Sequence, residues 1–204
     1  MRLKKEIKKG AYFFIHFGMP CSSFSIIQAI NGGTRTSESP QGSGDKPNEM
    51  YGNRLADVMC ELCWLQNISG GKFSIENPLS SFLWKYPPVD QLSSICVDID
   101  LDQCEYGLRP PHRRRAPYSD LRIKKPTRLR TSLHSLSALS VKCRGNHAHW
   151  RCLGSVRDDS GRTVSVAKAA GHYPDQLCQR WAEIVCSASA TCVGCSAGAR
   201  SSSR

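Results

Sequence analysis

The sequence predicts an α/β fold: a parallel sheet with helices on both faces, followed by a less regular C-terminal region. Three observations predict it. A continuous apolar run, Ala11 to Phe17, has the pattern of a strand covered on both faces, the habit of parallel sheets. From Arg54 to Asn67, Leu55, Val58, Met59, Leu62 and Leu65 recur at helical spacings of three and four. Lys72 to Ile75 then reads as a second short strand, so strand, crossover helix and strand make a right-handed βαβ unit.

The remaining elements follow in order. Residues 2–9 alternate charge with Leu3 and Ile7, a short amphipathic helix that Gly10 stops. Gly18 permits a tight turn, and Pro20 stiffens the backbone just before Cys21. Residues 31–53 are rich in Gly, Ser, Pro and Asn and read as a long flexible polar loop. Asn53 can cap the helix that follows, and Gly70-Gly71 can end it. Ser80 to Trp84 suggests one helical turn anchored by Phe82 and Trp84. Ile95, Val97 and Ile99 alternate with polar residues as a third strand, which Cys104-Glu105-Tyr106-Gly107 closes. Leu129 to Leu139 has no clean period. Tyr173-Pro174-Asp175 opens a helix whose apolar face carries Leu177, Trp181, Ile184 and Val185. The expected division is a catalytic region over 1–135, a small region over 136–186 and a disordered low-complexity tail over 187–204.

Bulk properties narrow the function. Hydrophobic residues make up 40% of the 204 and charged residues 22%, an ordinary globular composition. The net charge of +11, from 28 Lys and Arg against 17 acids, points to a polyanionic partner, with DNA first. The charge is concentrated between Arg109 and Arg130, where Asp120 is the one acid; prolines and Arg113-Arg114-Arg115 make 109–126 an exposed basic segment. It reads either as a phosphate-contacting stretch or as a solvated, nuclear-targeting tract. Eleven cysteines in a chain without a secretory h-region or an 18-residue apolar span predict free thiols in a reducing compartment. The expected location is intracellular, nuclear in a eukaryote, with no membrane partner.

Chemistry is concentrated at two strand ends. Cys21 follows the first strand and Glu76 the second, and ligand sites in open α/β sheets form beyond the carboxyl ends of the strands. The topology therefore brings a thiol and a carboxyl to one rim. Gly18-Met19-Pro20-Cys21, then Phe24-Ser25, then Ile75-Glu76-Asn77-Pro78, resemble the DNA cytosine-5 methyltransferases, and among them the divergent versions of phages and mobile elements. The resemblance covers roughly residues 10–135. It implies a partial Rossmann-like sheet of methyltransferase type, S-adenosylmethionine as methyl donor, Cys21 as nucleophile and Glu76 as proton donor. It implies substrate contacts from Pro20, Ser22, Asn77, Arg128 and Arg130, with Asn77 bracing the nucleophile turn. The family seats its methyl donor on a Gly-rich turn and an acidic residue well upstream of the Pro-Cys pair. Only 20 residues precede Cys21, so the expectation is an N-terminally truncated domain, completed by a missing segment or a companion chain. The other open reading is a catalytically inactive nucleic-acid-binding remnant of a mobile element. A thiol hydrolase lacks a histidine in position.

Cys143, His147, His149 and Cys152 place four zinc-competent ligands within ten residues, although the His-x-His spacing departs from the usual finger pattern. Cys60 and Cys63 lie on the crossover helix and read as small packing residues, and His16 inside the first strand reads as a satisfied core histidine. Cys192 and Cys195 have no partner pair.

Overall fold

The computed structural model describes residues 2–110, 120–151, 154–157 and 160–198. The chain forms two compact units, Met1–Ile99 with Arg128–His134, and Asp100–Thr127 with Ser135–Arg204. Residues 100–127, expected in the catalytic region, thus group with the C-terminal residues.

The first unit opens with α1 (Arg2–Lys8), whose Ile7 is buried, and continues through β1 (Phe14–Gly18). A single turn, α2 (Ile27–Ile30), precedes the long crossover helix α3 (Pro47–Ile68), which leads to β2 (Lys72–Pro78). β1 and β2 pair in parallel, with Phe14 opposite Lys72 and Gly18 opposite Glu76, so the βαβ unit is present. α3 begins at Pro47 instead of Arg54: proline at the first helical position and Glu49 in the first turn start it inside the expected loop. Its buried side is Ala56, Met59, Cys60, Leu62, Cys63 and Gln66, while Val58 is exposed. The leucine spacing thus gave the right element with its buried stripe one residue displaced. Cys60 and Cys63 pack in the core, where burial pushes the Cys60 thiol up to about 12 and raises Cys63 in the same sense.

After β2, the 3-10 turn Phe82–Lys85 buries Leu83 and Trp84, and the Trp84 indole N–H donates to the Pro78 carbonyl at 2.8 Å. α4 (Pro87–Gln91) leads to β3 (Val97–Asp102), two residues later than the alternation suggested. β4 (Arg122–Ile123) and β5 (Pro126–Thr131) follow. The four-stranded sheet has the order β1-β2-β5-β3. Ser132 N donates to the Phe73 carbonyl at 3.1 Å and the Thr131 hydroxyl to the same oxygen at 2.6 Å. The carboxyl end of β5 therefore lies beside the amino end of β2, and the sheet is mixed, not all parallel. β2 is central and buried from Phe73 to Asn77, whereas β1 is at an edge and half-exposed over Phe14–Phe17. The apolar run of β1 predicted cover on both faces; among the described residues its outer edge has no strand beside it.

The second unit contains the end of β3, β4, the start of β5 and a series of short elements. β6 (His149–Trp150) pairs with β4 in parallel, and β7 (Ser155–Arg157) pairs with β8 (Thr163–Ser165) antiparallel. α5 (Val166–Ala169) adds Val166 and Ala170 to a small core with Leu108 and Ile123, against which Trp150 packs. α6 (Asp175–Gly198) buries Leu177, Trp181 and Ile184, the expected face. It runs beyond Ser187 into the segment expected to be a disordered tail. The helix continues there through Ser, Thr, Cys and Gly as well as Ala, so intrinsic propensity did not signal it. Among the described residues no helix is long and apolar enough to cross a membrane.

His16 on β1 faces Ser74 on β2, its register partner, with Nδ1 2.9 Å from Oγ. Burial holds the imidazole down to about 4, so it is neutral at pH 7. A histidine whose folded value lies below its unfolded value near 6.5 stabilises the fold above 6.5, and that contribution is lost as pH falls towards 4. At about 1.4 kcal/mol per unit, the loss amounts to at most about 3 kcal/mol. Urea unfolding between pH 7 and 4 should show this decline, and His16→Gln should flatten it.

Candidate functional site

The β1–β2 ladder places Glu76 beside Gly18, so the chain leaving β1 passes the buried carboxyl of Glu76, 7% exposed. Glu76 and Asn77 lie within β2, not beyond its end as the expected strand 72–75 implied. The Asn77 side-chain amide donates to the Met19 carbonyl at 3.0 Å and to the Glu76 carbonyl at 3.1 Å. The bond to Met19 ties the turn after β1 to β2.

Cys21 follows two residues on, exposed, as are Pro20 and Ser22. Its turn is clamped on the other side as well. The Ser23 hydroxyl accepts from Arg35 Nη2 at 2.9 Å, and the Phe24 carbonyl accepts from Phe82 N at 2.9 Å and from the Ser81 hydroxyl at 3.3 Å. The Phe24 ring is fully buried, and the Arg35 guanidinium stacks over it with its carbon 3.8 Å from the centroid. An accessible thiol thus projects from a backbone anchored at Met19, Ser23 and Phe24.

Arg35 has no periodic or motif signal in the sequence, and its place in the expected loop hid it. It is 2% exposed and holds residues 31–46 against the start of α3. Nη1 donates to Asn53 Oδ1 at 2.8 Å and to the Pro40 carbonyl, and Nη2 donates to the Glu49 carbonyl at 2.8 Å. Glu49 in turn accepts from the Thr34 amide at 2.7 Å and the Thr34 hydroxyl. Gly52 of α3 leaves the space for this: a Cβ there would lie 2.1 Å from Ser23 Oγ.

Arg128 and Arg130 lie on β5 and converge on Asp98. Arg130 makes a two-pronged pair with it, Nε to Oδ1 at 2.7 Å and Nη2 to Oδ2 at 2.8 Å, and Nη1 donates to the Val89 carbonyl at 2.8 Å. Arg128 Nη1 stands 3.3 Å from Asp98 Oδ2, and both guanidinium groups lie within 6 Å of the Trp84 ring centre. Arg130 is buried, 4% exposed, and its guanidinium is engaged by Asp98 and Val89 inside its own unit. Residues 111–119, the centre of the basic segment with Arg113–Arg115, lie outside the described residues.

The second unit gathers a separate group. The ligand atoms of Cys104, Cys143, His147 and His149 all lie within 4.8 Å of one another. Of the sequence-predicted set, Cys143, His147 and His149 come together, and Cys152 lies outside the described residues. Cys104 was missed because 39 residues separate it from Cys143, and a pair so distant has no spacing signature. Among the described residues, Cys21, Cys60, Cys63, Cys96, Cys104, Cys143, Cys178 and Cys186 are free thiols.

Searches of protein-family models, of curated protein sequences and of solved structures find no match to this chain.

Two variants test the clamps. Asn77→Ala should lower stability by about 1–2 kcal/mol, the cost of leaving a buried carbonyl without its donor. Amide exchange at residues 19–23 should accelerate with it; unchanged exchange would show that Met19 is held by other means. Arg35→Lys cannot reproduce the forked contacts and should cost about 3 kcal/mol in denaturant unfolding, because a buried charge loses partners.

Proposed function

We propose that this chain is a cytosine-5 methyltransferase-like domain acting on DNA, with Cys21 as nucleophile and Glu76 as proton donor. The observation that carries it is the anchored turn: an exposed thiol follows β1, the Glu76 carboxyl sits at the matching level of β2, and Asn77 ties the two. Cytosine carbon 5 is too weak a nucleophile to be alkylated directly. Addition of the Cys21 thiolate to carbon 6 forms a carbon–sulfur bond and moves the ring electron pair toward nitrogen 3. A proton from the Glu76 carboxyl at nitrogen 3 stabilises that charge, leaving carbon 5 as the nucleophilic end of an enamine. Pro20 and Ser22, exposed beside Cys21, are placed to meet the base, which must leave the duplex to reach the thiol. The +11 charge favours approach to phosphate.

S-adenosylmethionine supplies the methyl group in the family resembled. The described residues do not fit it: α1 is the element before β1, and no Gly-rich turn follows a strand there. No transfer step is therefore assigned to this chain alone. In this reading a further segment or a companion chain carries the donor, and the exposed edge of β1 is the place for it to pair. The reading suits a reducing, DNA-containing compartment.

Covalent trapping separates thiol addition from methyl transfer. Duplex DNA bearing 2-pyrimidinone accepts a thiolate at carbon 6 without any donor, whereas 5-fluorocytosine needs the methyl step for a stable adduct. The expected outcome is a 2-pyrimidinone adduct that Cys21→Ala abolishes and Glu76→Gln slows about 100-fold. No Cys21-dependent adduct on either DNA would overturn the assignment. Salt-sensitive DNA binding that survives in Cys21→Ala would then favour the inactive nucleic-acid-binding remnant.

A further inference from the structure

We propose that Cys104, Cys143, His147 and His149 bind one structural zinc ion in the second unit. The donor set is two thiols and two imidazoles, the soft and borderline ligands that zinc takes in closed tetrahedral sites. With zinc bonds of about 2.3 Å to sulfur and about 2.0 Å to nitrogen, tetrahedral geometry requires sulfur–nitrogen separations of about 3.6 Å. Cys143 Sγ lies 3.7 Å from His147 Nε2 and 3.4 Å from His149 Nε2. Closing the whole set, now within 4.8 Å, onto one ion takes small side-chain rotations.

The surroundings fit a metal better than a chance thiol–imidazole cluster. His147 Nδ1 is 2.8 Å from Asn146 Oδ1; a proton on Nδ1 donates to that oxygen and leaves the Nε2 lone pair directed at the group. The Gly145 amide donates to Cys143 Sγ at 3.4 Å, a bond that stabilises thiolate, and Gly145 adopts φ +72°, which a glycine reaches without strain. The backbone of the ligand loop is fixed by two carboxylates, with Cys143 N donating to Asp102 Oδ2 at 2.8 Å and Arg144 N to Glu105 Oε1 at 3.1 Å. Cys104 is buried on the 3-10 turn Gln103–Tyr106, and Arg122 Nη1 donates to its carbonyl at 3.0 Å.

None of residues 142–149 is buried, so polar contacts and not apolar packing set the path of the loop. An ion bonded to Cys104 and to this loop would fasten the loop to the turn after β3. It would also fix the start of β6, whose His149 pairs with Arg122 and whose Trp150 packs on the small core. All four positions are filled by protein, which makes the ion structural and leaves no open place for a water. Two thiolates balance its charge.

The full chain, expressed with zinc and desalted, should hold about one zinc per chain by elemental analysis. Cobalt loading should give the intense visible bands of tetrahedral coordination and a thiolate charge-transfer band that Cys104→Ser and Cys143→Ser each halve. Cys104→Ser and His149→Asn should weaken zinc binding at least tenfold by competition with a chromophoric chelator, in line with loss of one ligand. Chelation should lower the melting temperature of the wild type and lower that of Cys104→Ser by less. Cys152→Ser should retain full zinc content. Zinc-free protein after this loading, or Cys104→Ser binding zinc as tightly as wild type, overturns the proposal. So does Cys152→Ser losing the ion while Cys104→Ser keeps it, since the ligands would then be the local set.

Discussion

The parallel register between β1 and β2 is the constraint on which the rest of the first unit depends. Side chains alternate along a strand, so a slip of one residue would turn every buried group of β2 to the other face. In the observed register His16 meets Ser74 and Gly18 meets Glu76. The chain leaving β1 therefore emerges at the level of Asn77, whose amide can reach the Met19 carbonyl. A shifted ladder would bring another residue of β2 to the level of Gly18 and part Asn77 from Met19.

Anchoring of the turn then depends on a buried cation. Arg35 reaches Ser23, Asn53, two backbone carbonyls and the Phe24 face at once. Burying a guanidinium is unfavourable unless its donors are met, and here the partners of the two terminal nitrogens come from three stretches of chain, around Ser23, Pro40 and the start of α3. Ordering of residues 31–46, the start of α3 and the turn carrying Cys21 are thereby linked. Gly52 is part of the same device, since any larger residue would enter the space Ser23 occupies.

How much of this was legible in the sequence follows from the range of each interaction. The helical period of α3 and the apolar run of β1 are local signals, and both elements formed near their expected places. The carboxyl ends of β1 and β2 were legible as neighbours because a βαβ connection fixes which ends of parallel strands share a rim. The extra turns of α3 from Pro47 were hidden by the polar residues around them. The half-exposure of β1 was hidden because an apolar run looks alike in a covered strand and in one with an open edge. Arg35 and Cys104 act through partners distant in sequence, and neither belongs to a spacing pattern. The sheet order, with β5 between β2 and β3, belongs to the same class: no residue of Pro126–Thr131 announces which strands it will separate.

The two arginines of β5 show how one motif divides between fold and function. Arg130 meets Asp98 with both prongs and spends its remaining donor on Val89, so its charge is neutralised within the unit. Arg128 shares the same carboxylate at a longer distance and is more exposed, 26% for its side chain against 5% for Arg130. Both guanidinium groups also stand by the Trp84 ring, so the carboxylate, the indole and the end of β5 hold one another in place. The basic character of the chain is thus partly structural, and its charge count overstates what is free to meet phosphate.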